Sequence, residues 1–174
     1  AVVGRLTKDV LAEVVPAALA RLTFPKTMRW ADGVGPFARP VHWICALLGD
    51  ATVPFSFVGV TSDNQTRGHR FLHPNAVRVP SPQDYVSLMT ELGVMVSPDA
   101  RKAAIRSSMA DAERSAGCCF LPNDALIDEV ANLVEFPTLT LGHIDEDFLK
   151  LPREVLVTAM SMHEMQNILA IIRE

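Results

Sequence analysis

At 174 residues, 49% of them hydrophobic and 21% charged, the chain is long enough for one domain that buries most of its apolar surface, which excludes a small scaffold dependent on disulfides. Sixteen Lys and Arg against twenty Asp and Glu give a net charge of −4, which excludes a protein that coats nucleic acid nonspecifically. No run of about 18 apolar residues and no charged segment leading into an apolar stretch is present, so neither a membrane span nor a signal peptide is visible.

The three cysteines, Cys45, Cys118 and Cys119, are odd in number and two are adjacent. That pattern fits a reducing, cytoplasmic compartment better than a secreted framework. Charge is unevenly distributed: residues 1–87 hold nine basic and six acidic side chains, residues 88–174 seven and fourteen. Contact with a polyanion is therefore expected in the first half.

Leu6, Val10, Leu11, Val14, Ala18, Leu19 and Leu22 recur at helical spacing after a Thr7 cap. They predict an amphipathic helix within residues 1–22 that docks at the edge of the domain, kinked or restarted at Pro16. Residues 25–33 read as a loop closed by the breaker Gly33-Val34-Gly35-Pro36, which leaves Lys26, Arg29 and Arg39 on irregular backbone around Trp30. The apolar run 41–48, the Gly49-Asp50 break and the alternating stretch 51–60 predict a β-hairpin at the centre of a sheet. In the second arm Val53, Phe55 and Phe57 alternate with Pro54 and Ser56. The polar stretch 62–66 then delivers a return segment in which Arg67 and Arg70 flank Gly68 and His69.

Further on, Pro74-Asn75 turns the chain and residues 77–79 suggest a short strand. Ser81-Pro82-Gln83-Asp84 predicts a helix start, with Gly93 as its stop, and Ser97-Pro98-Asp99 repeats the start for a mostly solvated helix to about Ser115. Asn123-Asp124 caps a third helix, residues 136–141 read as a strand ended by Gly142, and 145–149 as a short acidic helical turn. Pro152 opens a terminal helix over 152–174. The order predicts a single α+β domain, 1–174, with a hairpin-based, mostly antiparallel sheet packed with several helices.

Catalytic signatures are scarce. His69 and His73 are four apart, but on an extended chain they lie over roughly 13 Å, too far to share a metal, so no metal site is expected. His163-Glu164 starts like a zincin motif, but Asn167 stands where the second histidine belongs. The cysteines lack ligand spacing, no serine or cysteine sits in a nucleophile elbow, and neither a dinucleotide fingerprint nor a Walker loop is present, so no catalytic residue is expected. Asp145-Glu146-Asp147 reads as a solvated helix start rather than a cation site.

The basic side chains allow two readings. Guanidinium groups on loops beside Trp30 suit RNA phosphates and an unstacked base. Alternatively the arginines pair with Asp32, Asp50 or Asp63 across a hairpin edge and the tryptophans fill the core, and composition alone favours this second reading.

Pro25-Lys26-Thr27-Met28-Arg29-Trp30, Arg39-Pro40-Val41-His42-Trp43, Ala46-Leu47-Leu48-Gly49-Asp50, Val53-Pro54-Phe55, Thr66-Arg67-Gly68-His69-Arg70-Phe71 and Leu151-Pro152-Arg153-Glu154-Val155-Leu156 carry a resemblance. Over roughly residues 10–163, in collinear order, the chain resembles the N-terminal half of the beta subunit of bacterial tetrameric glycyl-tRNA synthetase. The resemblance implies a piece of an α2β2 ligase whose alpha subunit uses ATP and Mg to activate glycine, while beta supplies recognition of tRNA(Gly) and assembly. The partners implied are tRNA(Gly), the alpha subunit and the rest of beta. The matching Lys26, Arg29, Arg39, Arg67, His69 and Arg70 become candidates for tRNA or subunit contact, and the implied cofactors belong to alpha. A fold analogy to the editing-type domain of phenylalanyl-tRNA synthetase beta subunits goes with it, and suggests as a lesser alternative a deacylase in which His69 works with a water. A purely structural interaction module that docks through the first helix is the other. The terminus departs from the family pattern: His163-Glu164-Met165-Gln166-Asn167 stands where the family continues into His-Gln-x-Tyr-Phe.

Overall fold

The computed structural model of the protein describes residues 4–30, 34–117, 119–121, 123–142 and 145–163. They fall into two compact units, 1–88 and 89–174. Helices are joined by small, mostly antiparallel sheets, an α+β architecture.

In the first unit, helix α1 (Thr7–Ala20) starts one residue earlier than a Thr7 cap requires, with Leu6 in the cap position and no side-chain bond. It runs through Pro16 unbroken; the missing N–H costs one helical bond and the helix does not restart. No α1 residue is buried. The stretch expected as a loop is instead half a hairpin: β1 (Met28–Trp30) pairs antiparallel with β2 (Val34–Phe37), Met28 opposite Phe37 and Trp30 opposite Val34. Gly35 makes this possible. At φ 110° its hypothetical Cβ would stand 2.8 Å from the Met28 carbonyl oxygen and 3.4 Å from the Trp30 ring, so only glycine lets β1 approach.

The Gly49-Asp50 turn forms as expected, joining β4 (Leu47–Leu48) to β5 (Ala51–Thr52), but these arms are two residues long. Pro54 cannot donate to a ladder, and the predicted long second arm breaks there. A second tight hairpin follows, β6 (Ser56–Phe57) to β7 (Val60–Asp63), through Val58 at φ 44° and Gly59 at φ 81°. On its other side β7 pairs in parallel with β3 (Ile44–Cys45), giving the order β3-β7-β6. The expected alternation survives the break: Val53 and Phe55 are buried while Pro54 and Ser56 are exposed. Ser62, on β7, is itself buried; its Oγ donates to the Val53 carbonyl at 2.7 Å and accepts from Phe55 N at 2.9 Å, stapling the non-ladder segment to the sheet. Phe37 meets Phe24 and Phe57 edge-on, at 5.0 and 5.4 Å between centroids. The unit closes with β8 (Gln65–Arg67) paired antiparallel to β9 (Ala76–Arg78), next to Val79, which is buried.

The chain passes into the second unit within helix α2 (Tyr85–Glu91), which follows a 3-10 turn at Pro82–Asp84. Ser81 donates to the Gln83 side chain there rather than capping the helix. Helix α3 (Pro98–Ala116) has the expected Ser97 cap on Ala100 N and ends at Gly117 in the left-handed region. Helix α4 (Asp124–Leu133) is capped by Asn123 on Leu126 N. Ile105 of α3 is buried with Ile127, Val130 and Ala131 of α4. Arg101 ties this pair to the preceding loop, donating to the Ala131 carbonyl at 2.5 Å and to the Met95 and Val96 carbonyls.

The strand expected at 136–141 does not form. Leu139 and Leu141 instead pack on Ala112 of α3, so their alternation reflects contact with a helix, and Pro137 lacks a ladder donor. A 3-10 turn at Glu146–Lys150 takes the place of the acidic helical turn, with Asp145 accepting from Asp147 N. Helix α5 (Arg153–His163) follows. The rest of the predicted terminal helix, including most of the His163-Glu164-Met165-Gln166-Asn167 stretch, lies outside the described residues. No helix among those described is long and apolar enough to cross a membrane.

Candidate nucleic-acid interface

Three of the six candidate residues lie at one corner, the β8–β9 connection. The ladder sets Arg67 opposite Ala76, so residues 68–75 form the hairpin loop. This segment is not the extended chain expected from sequence; it curls, and His73 N donates to the His69 carbonyl at 2.7 Å. The half-buried His69 organises the bend, its Nδ1 accepting from Phe71 N and Leu72 N at 3.3 Å each. Arg67 closes the base of the loop. Its guanidinium donates to the Pro74 carbonyl at 2.8 Å and lies 5.9 Å from the centre of the Trp43 ring. Arg70, at the tip, lies over Phe71 at 5.4 Å and makes no ion pair among the described residues.

Arg29 and Arg39 form a second group, at the β1–β2 hairpin. Arg29 donates to the Gly35 carbonyl at 3.3 Å; Arg39 donates to the Ala38 carbonyl at 3.2 Å and reaches the Met28 sulfur at 3.5 Å. Lys26 precedes β1, exposed, with no hydrogen bond or ion pair to a described residue. The half-buried Trp30, the last residue of β1, has its ring against Gly35.

These five cations are all exposed, and the guanidinium contacts are to carbonyl oxygens, sulfur or rings. Neither Asp50 nor Asp63 pairs with any of them; Asp32 lies outside the described residues. Carboxylates are engaged elsewhere, as in Arg5 with Glu13 at 2.5 Å, Lys102 with Asp128 and Arg106 with Asp124 at 2.8 Å each. The Glu13 carboxyl is held below its ordinary range by the hydrogen bond and charge of Arg5. The unit boundary follows Leu88, so the first unit carries the excess of nine basic over six acidic side chains.

Burial, reinforced by the charge of Asp63 opposite it in the β3–β7 register, pushes the Cys45 thiol up. Two exposed aromatics, absent from the candidate set expected from sequence, stand at the β8–β9 corner. Trp43, which one of the two sequence readings places in the core, is 43% exposed beside Arg67, and Phe71 is 78% exposed at the loop tip. The adjacency of Arg70 and Phe71 after a Gly-His pair was the available signal.

The profile of the family described as "Glycyl-tRNA synthetase beta subunit" matches residues 1–173. The glycine–tRNA ligase beta subunit of Geobacter sulfurreducens is 43% identical over 161 residues, 92% of this chain and 23% of that protein. Those of Desulforamulus reducens and Clostridioides difficile are 40% and 37% identical over the same shares. The chain thus spans about a quarter of the length of the curated relatives it matches.

Proposed function

From the premise that the chain belongs to the glycyl-tRNA synthetase beta subunit family, we propose that it is a non-catalytic part of a cytoplasmic glycine–tRNA ligase, supporting tRNA binding and alpha/beta assembly. In this reading ATP and Mg act on the alpha subunit, and this chain contributes positive charge and shape. The observation that carries it is the exposed set Lys26, Arg29, Arg39, Arg67 and Arg70, on or flanking two hairpins of the first unit, with no carboxylate partner among the described residues.

The roles within the set differ. Lys26 and Arg70 have no anchoring hydrogen bond to a described residue and are free to meet phosphates. Arg67 and His69 shape the loop that carries Arg70, and the His69 Nδ1 lone pair is already engaged by two backbone N–H groups. His69 is therefore assigned to positioning rather than to hydrolysis. The test is tRNA(Gly) affinity of the alpha/beta complex at low salt. Lys26→Ala/Arg70→Ala in beta weakens it several-fold while alpha still co-purifies; unchanged affinity would refute the RNA role.

Assembly rests on a different observation. Val14 of helix α1 is 53% exposed, and the flanking Leu6 and Leu22 are 73% and 52% exposed, apolar surface suited to the rest of beta or to alpha. Val14→Asp is expected to lower recovery of alpha with beta; full recovery would count against a docking role for this helix.

A further inference from the structure

The β8–β9 loop exposes more than charge. Phe71 and Leu72 at its tip are 78% and 64% exposed, the most exposed large apolar pair of neighbours in the first unit among the described residues. A flexible tip would normally pay for ordering an aromatic ring in water, but this one is held in shape before any partner arrives. His69 accepts both the Phe71 and the Leu72 N–H, His73 N closes on the His69 carbonyl, and Arg67 ties the far side at Pro74. The ring thus stands on a preorganised support, beside the Arg70 guanidinium at 5.4 Å and the His69 imidazole at 6.0 Å between centroids.

We propose that Phe71 is a stacking platform for an unpaired nucleobase of the bound RNA, with Arg70 meeting the adjacent phosphate. Every base offers a π-face, so such a platform needs no hydrogen-bond code, and a guanidinium next to the ring supplies both a phosphate contact and a second planar surface. RNA is favoured over a protein surface because the cations flanking the ring lack carboxylate partners among the described residues and the unit carries excess positive charge. At the base of the same loop, Trp43 under Arg67 repeats the pairing of aromatic and guanidinium. This inference rests on the RNA role proposed above and adds the kind of nucleotide recognised: one that is single-stranded or flipped out.

The experiment compares tRNA(Gly) binding to the full alpha/beta complex carrying Phe71→Ala, Phe71→Leu, Phe71→Trp or Arg70→Ala, each titrated over a range of salt. Because Phe71 is exposed, its replacement leaves the core intact. Phe71→Ala and Phe71→Leu are expected to weaken binding by about tenfold, Phe71→Trp to retain it, and the salt slope to stay that of the parent, since a stacked base releases no counterion. Arg70→Ala lowers both affinity and slope. If Arg70→Ala weakens binding but Phe71→Ala does not, the platform is wrong while the RNA role stands. If neither variant changes binding, the platform falls, and the RNA role falls with it only if Lys26→Ala/Arg70→Ala also leaves affinity unchanged. Loss of alpha from the complex on Phe71→Ala would assign the tip to a protein contact and overturn the platform.

Discussion

Ser62 shows how one side chain decides whether an irregular segment is held. Its hydroxyl is the partner of Phe55 N and of the Val53 carbonyl, both in a buried stretch that Pro54 keeps out of the ladder. Ser62→Ala removes both bonds and is expected to destabilise the chain by about 1–3 kcal/mol, measured by denaturant unfolding. A change below a few tenths would mean that water or a backbone shift replaces the hydroxyl. The serine carried no sequence signal, because a hydroxyl among polar residues 61–66 reads as surface. The cations were the reverse case: Lys26, Arg29, Arg39, Arg67 and Arg70 could be named from the sequence, but whether they spent their charge on carboxylates depended on how the hairpins fold. Phe71 was missed for the same reason, since an aromatic residue is read as core unless its loop is known to stand clear.

Among elements, those specified by short-range chemistry were visible in the chain. The Ser97 and Asn123 caps and the Gly49-Asp50 turn all formed where residue type predicts. Elements that depend on a distant partner were not. The β1–β2 hairpin needed Gly35 to admit the Met28 carbonyl, and the alternation at 136–141 is satisfied by Ala112 of α3 instead of a strand. The β6–β7 turn was hidden because Val58 is a poor residue for φ 44°. A β-branched residue in the left-handed region is strained by about 1–2 kcal/mol, and asparagine tolerates it. Val58→Asn is accordingly expected to stabilise the chain by about 0.5–1 kcal/mol in thermal or denaturant unfolding, less whatever burial of the half-buried valine contributes. A clear loss of stability would mean that packing of Val58 outweighs the backbone strain.

Across the whole molecule, charge and fold divide at the same place: the first unit is net basic and holds every candidate contact residue, while the second, with fourteen acidic and seven basic side chains, spends charge on helix-to-helix ion pairs. The account turns on whether the first unit meets the phosphates of an RNA. The direct measurement is the slope of log affinity for tRNA(Gly) against log salt, for the alpha/beta complex with and without Lys26→Ala/Arg70→Ala. Two lost phosphate contacts should make the slope shallower by about 1.4–1.8. Parallel lines at equal affinity would contradict it.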